Sequence, residues 1–154
     1  MRIAIIKHAL VALVASLALP AHADSRLPLP VNPRWQEECG GCHLAYPPSL
    51  LPPSSWQRLI AGLDRHFGVD AGLDPAGAAA IGEFLERNAA SGKRAITGGS
   101  GLRISESPWF VREHRKVDAA TWKLPAVKSA ANCAACHTNA TAGDYGERGI
   151  RIPR

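Results

Sequence analysis

Cys39-Gly40-Gly41-Cys42-His43 and Cys133-Ala134-Ala135-Cys136-His137 use all four cysteines of this 154-residue chain in two copies of one pattern. Residues i and i+3 of a helical turn project to the same side. The two thiols of each copy can therefore add to the two vinyl groups of one porphyrin, and the histidine that follows stands beneath the ring and offers its imidazole to iron. Cys-x-x-Cys-His is the attachment signature of c-type haem. Small residues between the cysteines let the backbone lie close to the haem edge. Three other readings compete. Disulfide pairs suit an oxidising compartment, a thioredoxin-like site needs a βαβ setting that the pattern lacks, and a zinc module needs its ligands closer together. None accounts for a histidine directly after both pairs.

Histidine arithmetic carries the reading further. Six histidines are present, of which His8 and His22 lie in the first 23 residues. The remainder are His43 and His137, the motif ligands, together with His66 and His114. The single methionine is Met1, so the His/Met ligation that raises the potential of many cytochromes is unavailable to the rest of the chain. His66 follows Leu63 by three, and His114 follows Phe110 by four and Val111 by three, so each shares an apolar helix face. Four imidazoles equal the number needed to fill four axial positions. Proximity pairs His66 with the haem on Cys39 and Cys42, and His114 with the haem on Cys133 and Cys136; crossed pairing is the alternative.

Residues 1–23 read as a secretory signal peptide. Arg2 and Lys7 form a positive start, 9–19 is a short apolar run, and Ala21-His22-Ala23 is a small-x-small cleavage site. Export to the periplasm is expected, with no membrane span in the mature chain, because no later segment approaches about 20 apolar residues. Loss of the leader lowers the formal charge from +5 to +3. The basic residues are scattered, which speaks against nucleic-acid binding. What remains is rich in Ala, Gly and Pro, and a small chain with little apolar area needs a staple or cofactor.

The fold class expected is mainly α, with Pro- and Gly-rich loops and no strand alternation. A first helix is predicted over 34–43, then an extended Pro-rich stretch at 46–53. Ser54 with Gln57 suggests a capping box, opening a helix with Trp56, Leu59, Ile60, Leu63 and Phe67 on one stripe, stopped by Gly68. Asp74-Pro75 opens a helix to about Asn88 that buries Ile81, Phe84 and Leu85. Gly98-Gly99-Ser100-Gly101 marks a boundary, giving haem domains at 24–97 and 98–154. Ser107-Pro108 opens a short helix towards His114, and Pro125 a last helix to about His137. The tail from 145 reads as loop. Trp35, Trp56, Phe67, Trp109, Phe110 and Trp122 are candidates to wall the haem pockets, and Arg148, Arg151 and Arg154 to meet propionates or an acidic partner.

The stretch 35–154 resembles the bacterial dihaem cytochrome c family that donates electrons to a small oxygen-binding monohaem cytochrome (sphaeroides haem protein). The resembling segments are Glu38 to His43, Ser55-Trp56 through His66-Phe67-Gly68, Pro108-Trp109-Phe110 with His114, Ser129 to His137, and Gly149-Ile150-Arg151-Ile152-Pro153. The resemblance implies an N-terminal domain similar to a class I cytochrome c and a smaller C-terminal haem domain. It implies axial ligation by His43, His66, His114 and His137. It further implies electrons passing from a membrane cytochrome b to the monohaem protein. A carrier with both irons fully ligated is the first expectation; a peroxidase-like or reductase dihaem enzyme with one open iron is the alternative.

Overall fold

The computed structural model describes residues 26–92 and 101–154. The expected leader and the 97/98 domain boundary, with Gly98, Gly99 and Ser100, lie outside them. The described residues form helices and turns with no strand, as the periodicity predicts, and none of their helices is long and apolar enough to cross a membrane.

Among the described residues four α-helices are delimited: α1 at Pro33–Gly40, α2 at Pro53–Ala61, α3 at Pro75–Arg87 and α4 at Pro108–Glu113. All four have proline in the first turn, where its missing N–H costs nothing. Asn32 caps α1 by accepting from Trp35 N at 2.9 Å, and Asp74 caps α3 by accepting from Gly77 N at 2.9 Å. Ser107 caps α4 by accepting from Phe110 N at 3.1 Å.

Trp35 of α1, Leu51, Trp56 of α2, and Ile81, Phe84 and Leu85 of α3 form one buried cluster. Trp35 and Phe84 meet with ring centroids 5.3 Å apart. The predicted buried face of α3 is thus the centre of the core, and Trp35 and Trp56 belong to that core.

Several expectations need correction. The first helix ends at Gly40, so Cys42 and His43 lie beyond it. The Pro-rich stretch holds a 3₁₀ turn at Pro48–Leu50. No side chain caps α2, which starts at Pro53. The expected capping-box partner Gln57 donates to Glu86 at 2.8 Å, and Ser55, the neighbour of the expected cap Ser54, donates to the Gly101 carbonyl at 2.9 Å. The stripe running on to Phe67 breaks at Gly62, and a 3₁₀ turn at Leu63–Arg65 carries the chain onward.

No helix runs from Pro125 to His137. Lys128 turns the chain at φ +67°, and Asn132 Nδ2 donates to the Val127 carbonyl at 3.1 Å. A short polar side chain that bonds the local backbone competes with helix in this way. Only a 3₁₀ turn at Cys133–Ala135 remains.

The tail is less free than its sequence suggests. Arg151 N donates to the Cys136 carbonyl at 2.8 Å, and Thr138 N to the Gly149 carbonyl at 3.3 Å. The tail therefore straps the second motif. Leu27 N donates to the Gly143 carbonyl at 2.8 Å, tying the start of the described chain to its end.

Candidate haem sites

The structure places the two motifs on different scaffolds. Cys39 occupies the last turn of α1, whereas Cys133 opens a 3₁₀ turn. His43 faces His66, with ring centroids 6.2 Å apart and planes inclined by 24°. His137 faces His114 at 6.1 Å, with planes inclined by 78°. The proximity pairing is the one in which the rings meet.

His66 reaches its place through a reverse turn. Phe67 at φ +51° and Gly68 at φ +104° form the two central positions, closed by Val69 N donating to the His66 carbonyl at 3.1 Å. Positive φ at both is a type I′ signature, natural for glycine and unusual for phenylalanine. Gly68 thus turns the chain after the ligand candidate, whereas a helix stop was expected of it. Phe67 is 45 % exposed, with the Arg103 guanidinium 4.1 Å over its ring, so it flanks His66 rather than filling a core. His114 closes α4, stacked on Phe110 at 3.9 Å with Trp122 at 5.9 Å.

The residues fit a haem iron on two counts. Imidazole nitrogens bound to a transition metal at about 2.0–2.1 Å put two ring centroids about 6–6.5 Å apart across one ion. Both observed separations lie there. His43 Nδ1 pairs with the Leu44 carbonyl at 2.7 Å and His114 Nδ1 with the Phe110 carbonyl at 2.9 Å, leaving Nε2 of each ring for a metal. Nδ1 of His66 and of His137 is buried without a hydrogen bond of normal geometry.

Electrostatics favour the neutral, metal-ready imidazole. Burial holds the pKa of His66 below the ordinary histidine value, with further lowering by His43 and Arg103. Burial and then His114 lower that of His137, partly offset by the Tyr145 backbone and the Asp144 carboxylate. A neutral ring keeps its lone pair for the metal.

The cysteines are all unpaired. Burial pushes the Cys39 and Cys133 thiols up to about 11, the Glu38 carboxylate adding to the push on Cys39. A thioredoxin-like site needs a βαβ setting, and the described residues form no strand. Among the described residues no three His, Cys, Asp or Glu side chains gather as a protein-only metal site. A cleft of about 270 Å³, lined by His43, His66, Phe67, Phe110 and Cys133 among others, lies between the motifs. A larger groove between α2 and α3, about 550 Å³, holds none of the motif residues.

Two side chains escaped the sequence reading. Tyr46 stacks on His43 at 4.7 Å, and Tyr145 lies 5.3 Å from His137. The available signal was that the chain's only two tyrosines each follow a motif.

The family model for dihaem cytochrome c matches residues 35–145. The X-ray structure of a diheme cytochrome c from Shewanella baltica OS155 is similar, with 36% identity and a TM-score of 0.71, over 81% of this chain and 95% of that one. A diheme cytochrome c from Rhodobacter sphaeroides shares 43% identity with a TM-score of 0.69, over 75% of this chain and 97% of its own. A crystal structure of DHC purified from Rhodobacter sphaeroides gives 42% and 0.64, over 77% and 100%. No curated protein matches the chain. Two attachment motifs, two facing imidazole pairs and these likenesses converge: the chain belongs to the dihaem cytochrome c family, carries two c-type haems and serves electron transfer.

Proposed function

We propose that this cytochrome is a low-potential carrier in which every axial position is filled by the chain. Cys39 and Cys42 would hold one haem, with His43 and His66 on its iron. Cys133 and Cys136 would hold the other, with His137 and His114. The observation that supports this is the pair of facing imidazoles, 6.2 and 6.1 Å apart.

Bound haem supplies reversible one-electron exchange between Fe(III) and Fe(II). The chain's contribution is to keep that exchange outer-sphere: four imidazoles leave no axial place for oxygen, peroxide or substrate. Nδ1 bonds from His43 and His114 to backbone carbonyls fix those rings and raise their donor strength. Strong nitrogen donors on both faces favour the ferric state and so a low potential, within the range of about 0.8 V that axial ligands command.

The reading extends to residues 24–97 and 98–154 as two haem domains, the first similar to a class I cytochrome c. It also makes 1–23 a leader removed on export to the periplasm, which the intact mass of the exported protein would read directly. The resemblance to donors of the sphaeroides haem protein motivates the partners: a membrane cytochrome b as donor and a small monohaem cytochrome as acceptor.

Carbon monoxide tests the ligation. Added to the reduced protein, it should leave the Soret band unmoved. A full shift at one haem would replace this reading with the dihaem enzyme, peroxidase-like or reductase, that has one open iron.

A further inference from the structure

The two tyrosines have contacts that an ordinary packing role does not explain. The Tyr46 ring lies on His43 with planes inclined by 24°. Its hydroxyl donates to the Ala131 carbonyl at 2.5 Å, crossing 85 residues of sequence to reach the segment just before Cys133. Tyr145 comes from the opposite direction. Its ring lies beside His137 at 55°, and its buried hydroxyl has no hydrogen-bond partner among the described residues. Each tyrosine thus has its ring against a different motif histidine, and Tyr46 also reaches the segment before Cys133.

A buried hydroxyl without an acceptor is destabilising, because it has given up its water without a replacement. Bound haem would bring carboxylates, which are acceptors of the right chemistry for the Tyr145 hydroxyl. Tyr46 already has its acceptor, on the far side of the junction. Moving His43 therefore moves a hydrogen bond attached to the other haem's anchoring segment.

Building on the bis-histidine reading, we propose that Tyr46 and Tyr145 are positioning residues that make the two haem sites one redox unit. Each ring sets the orientation of one motif imidazole, and the Tyr46 hydroxyl couples His43 to the loop that anchors the second haem. Tyr46 is the element through which a change at one iron is felt at the other.

Tyr46→Phe in the haem-loaded protein tests this, since it keeps the stacked ring and removes only the hydroxyl. Haem-methyl NMR resonances of both haems should move. The division of one electron between the two sites should change by roughly two- to fivefold, the size of one lost hydrogen bond. Changes confined to the haem on Cys39 and Cys42, or no change, would overturn the coupling. Tyr145→Phe should move the resonances of the haem on Cys133 and Cys136, and unchanged resonances would remove Tyr145 from the unit. Absorption spectra read the ligation separately. Low-spin haems in the unmutated protein, with no response in the variants, would sink the coupling alone; a high-spin haem in the unmutated protein would sink the ligation instead.

Discussion

The two halves of this molecule hold the same five-residue motif in opposite ways. In the first, Cys39 ends a capped helix whose Trp35 is locked into a six-residue core with Leu51, Trp56, Ile81, Phe84 and Leu85. In the second, only Cys133 to Ala135 form a 3₁₀ turn, with Cys136 and His137 following it, and the buried apolar residues are few: Phe110, Val127 and Ala140. Backbone bonds from the tail hold that turn, with Arg151 N on the Cys136 carbonyl. A c-type motif therefore needs no helix of its own. Where side chains do not build a core, the haem and its two thioether links must supply one, and small domains with too little apolar area depend on such staples.

The largest effect separates the halves directly. Replacing Cys133 and Cys136 by alanine removes the second haem and should unfold residues 101–154 while α1 to α3 keep their protection. Replacing Cys39 and Cys42 should leave the Trp35 cluster largely intact. Hydrogen exchange resolved by segment checks both, because each cooperative unit opens with its own free energy. Equal loss of protection in the two halves for either variant would break the comparison.

Gly143 sharpens it from the other side. It sits at φ +71° where the tail meets the start of the described chain, and a Cβ there would lie 2.5 Å from the Leu27 carbonyl oxygen and 3.0 Å from Leu29 Cγ. Gly143→Ala should cost about 1–3 kcal/mol in denaturant unfolding, felt first as loosening of residues 137–150. Ser107→Ala, the smallest, should cost about 1 kcal/mol through loss of the cap on α4. Its readout is faster exchange at Phe110 N and greater mobility of the His114 ring.

Legibility followed the same division. The motifs, the four imidazoles, the caps at Asp74 and Ser107, and the buried Ile81, Phe84 and Leu85 were all readable, because each is a local pattern with one physical meaning. The stripe ending in Phe67 misled because a 3₁₀ turn after Gly62 continues an apolar spacing without continuing a helix. The segment from Pro125 to His137 looked helical by composition, yet Asn132 bonds the Val127 carbonyl and Lys128 turns at positive φ. The tail's hold on Cys136 and His137 is made by backbone groups, which leave no periodicity. The hydrogen bond from Tyr46 to the Ala131 carbonyl left no local pattern, because the two residues lie 85 positions apart.

The imidazole pairs differ as the halves do, nearly parallel at 24° for His43 and His66 and nearly crossed at 78° for His114 and His137. Parallel rings act on one iron d orbital more than on its partner, whereas crossed rings leave the two nearly degenerate and the magnetic anisotropy large. Low-temperature EPR of the fully oxidised protein reads this without any mutation. It should show two low-spin signals, one rhombic and one dominated by a single large-g feature. Two identical low-spin signals would contradict the geometry of the pairs, and a high-spin signal would contradict the claim that histidines cap both faces of both irons.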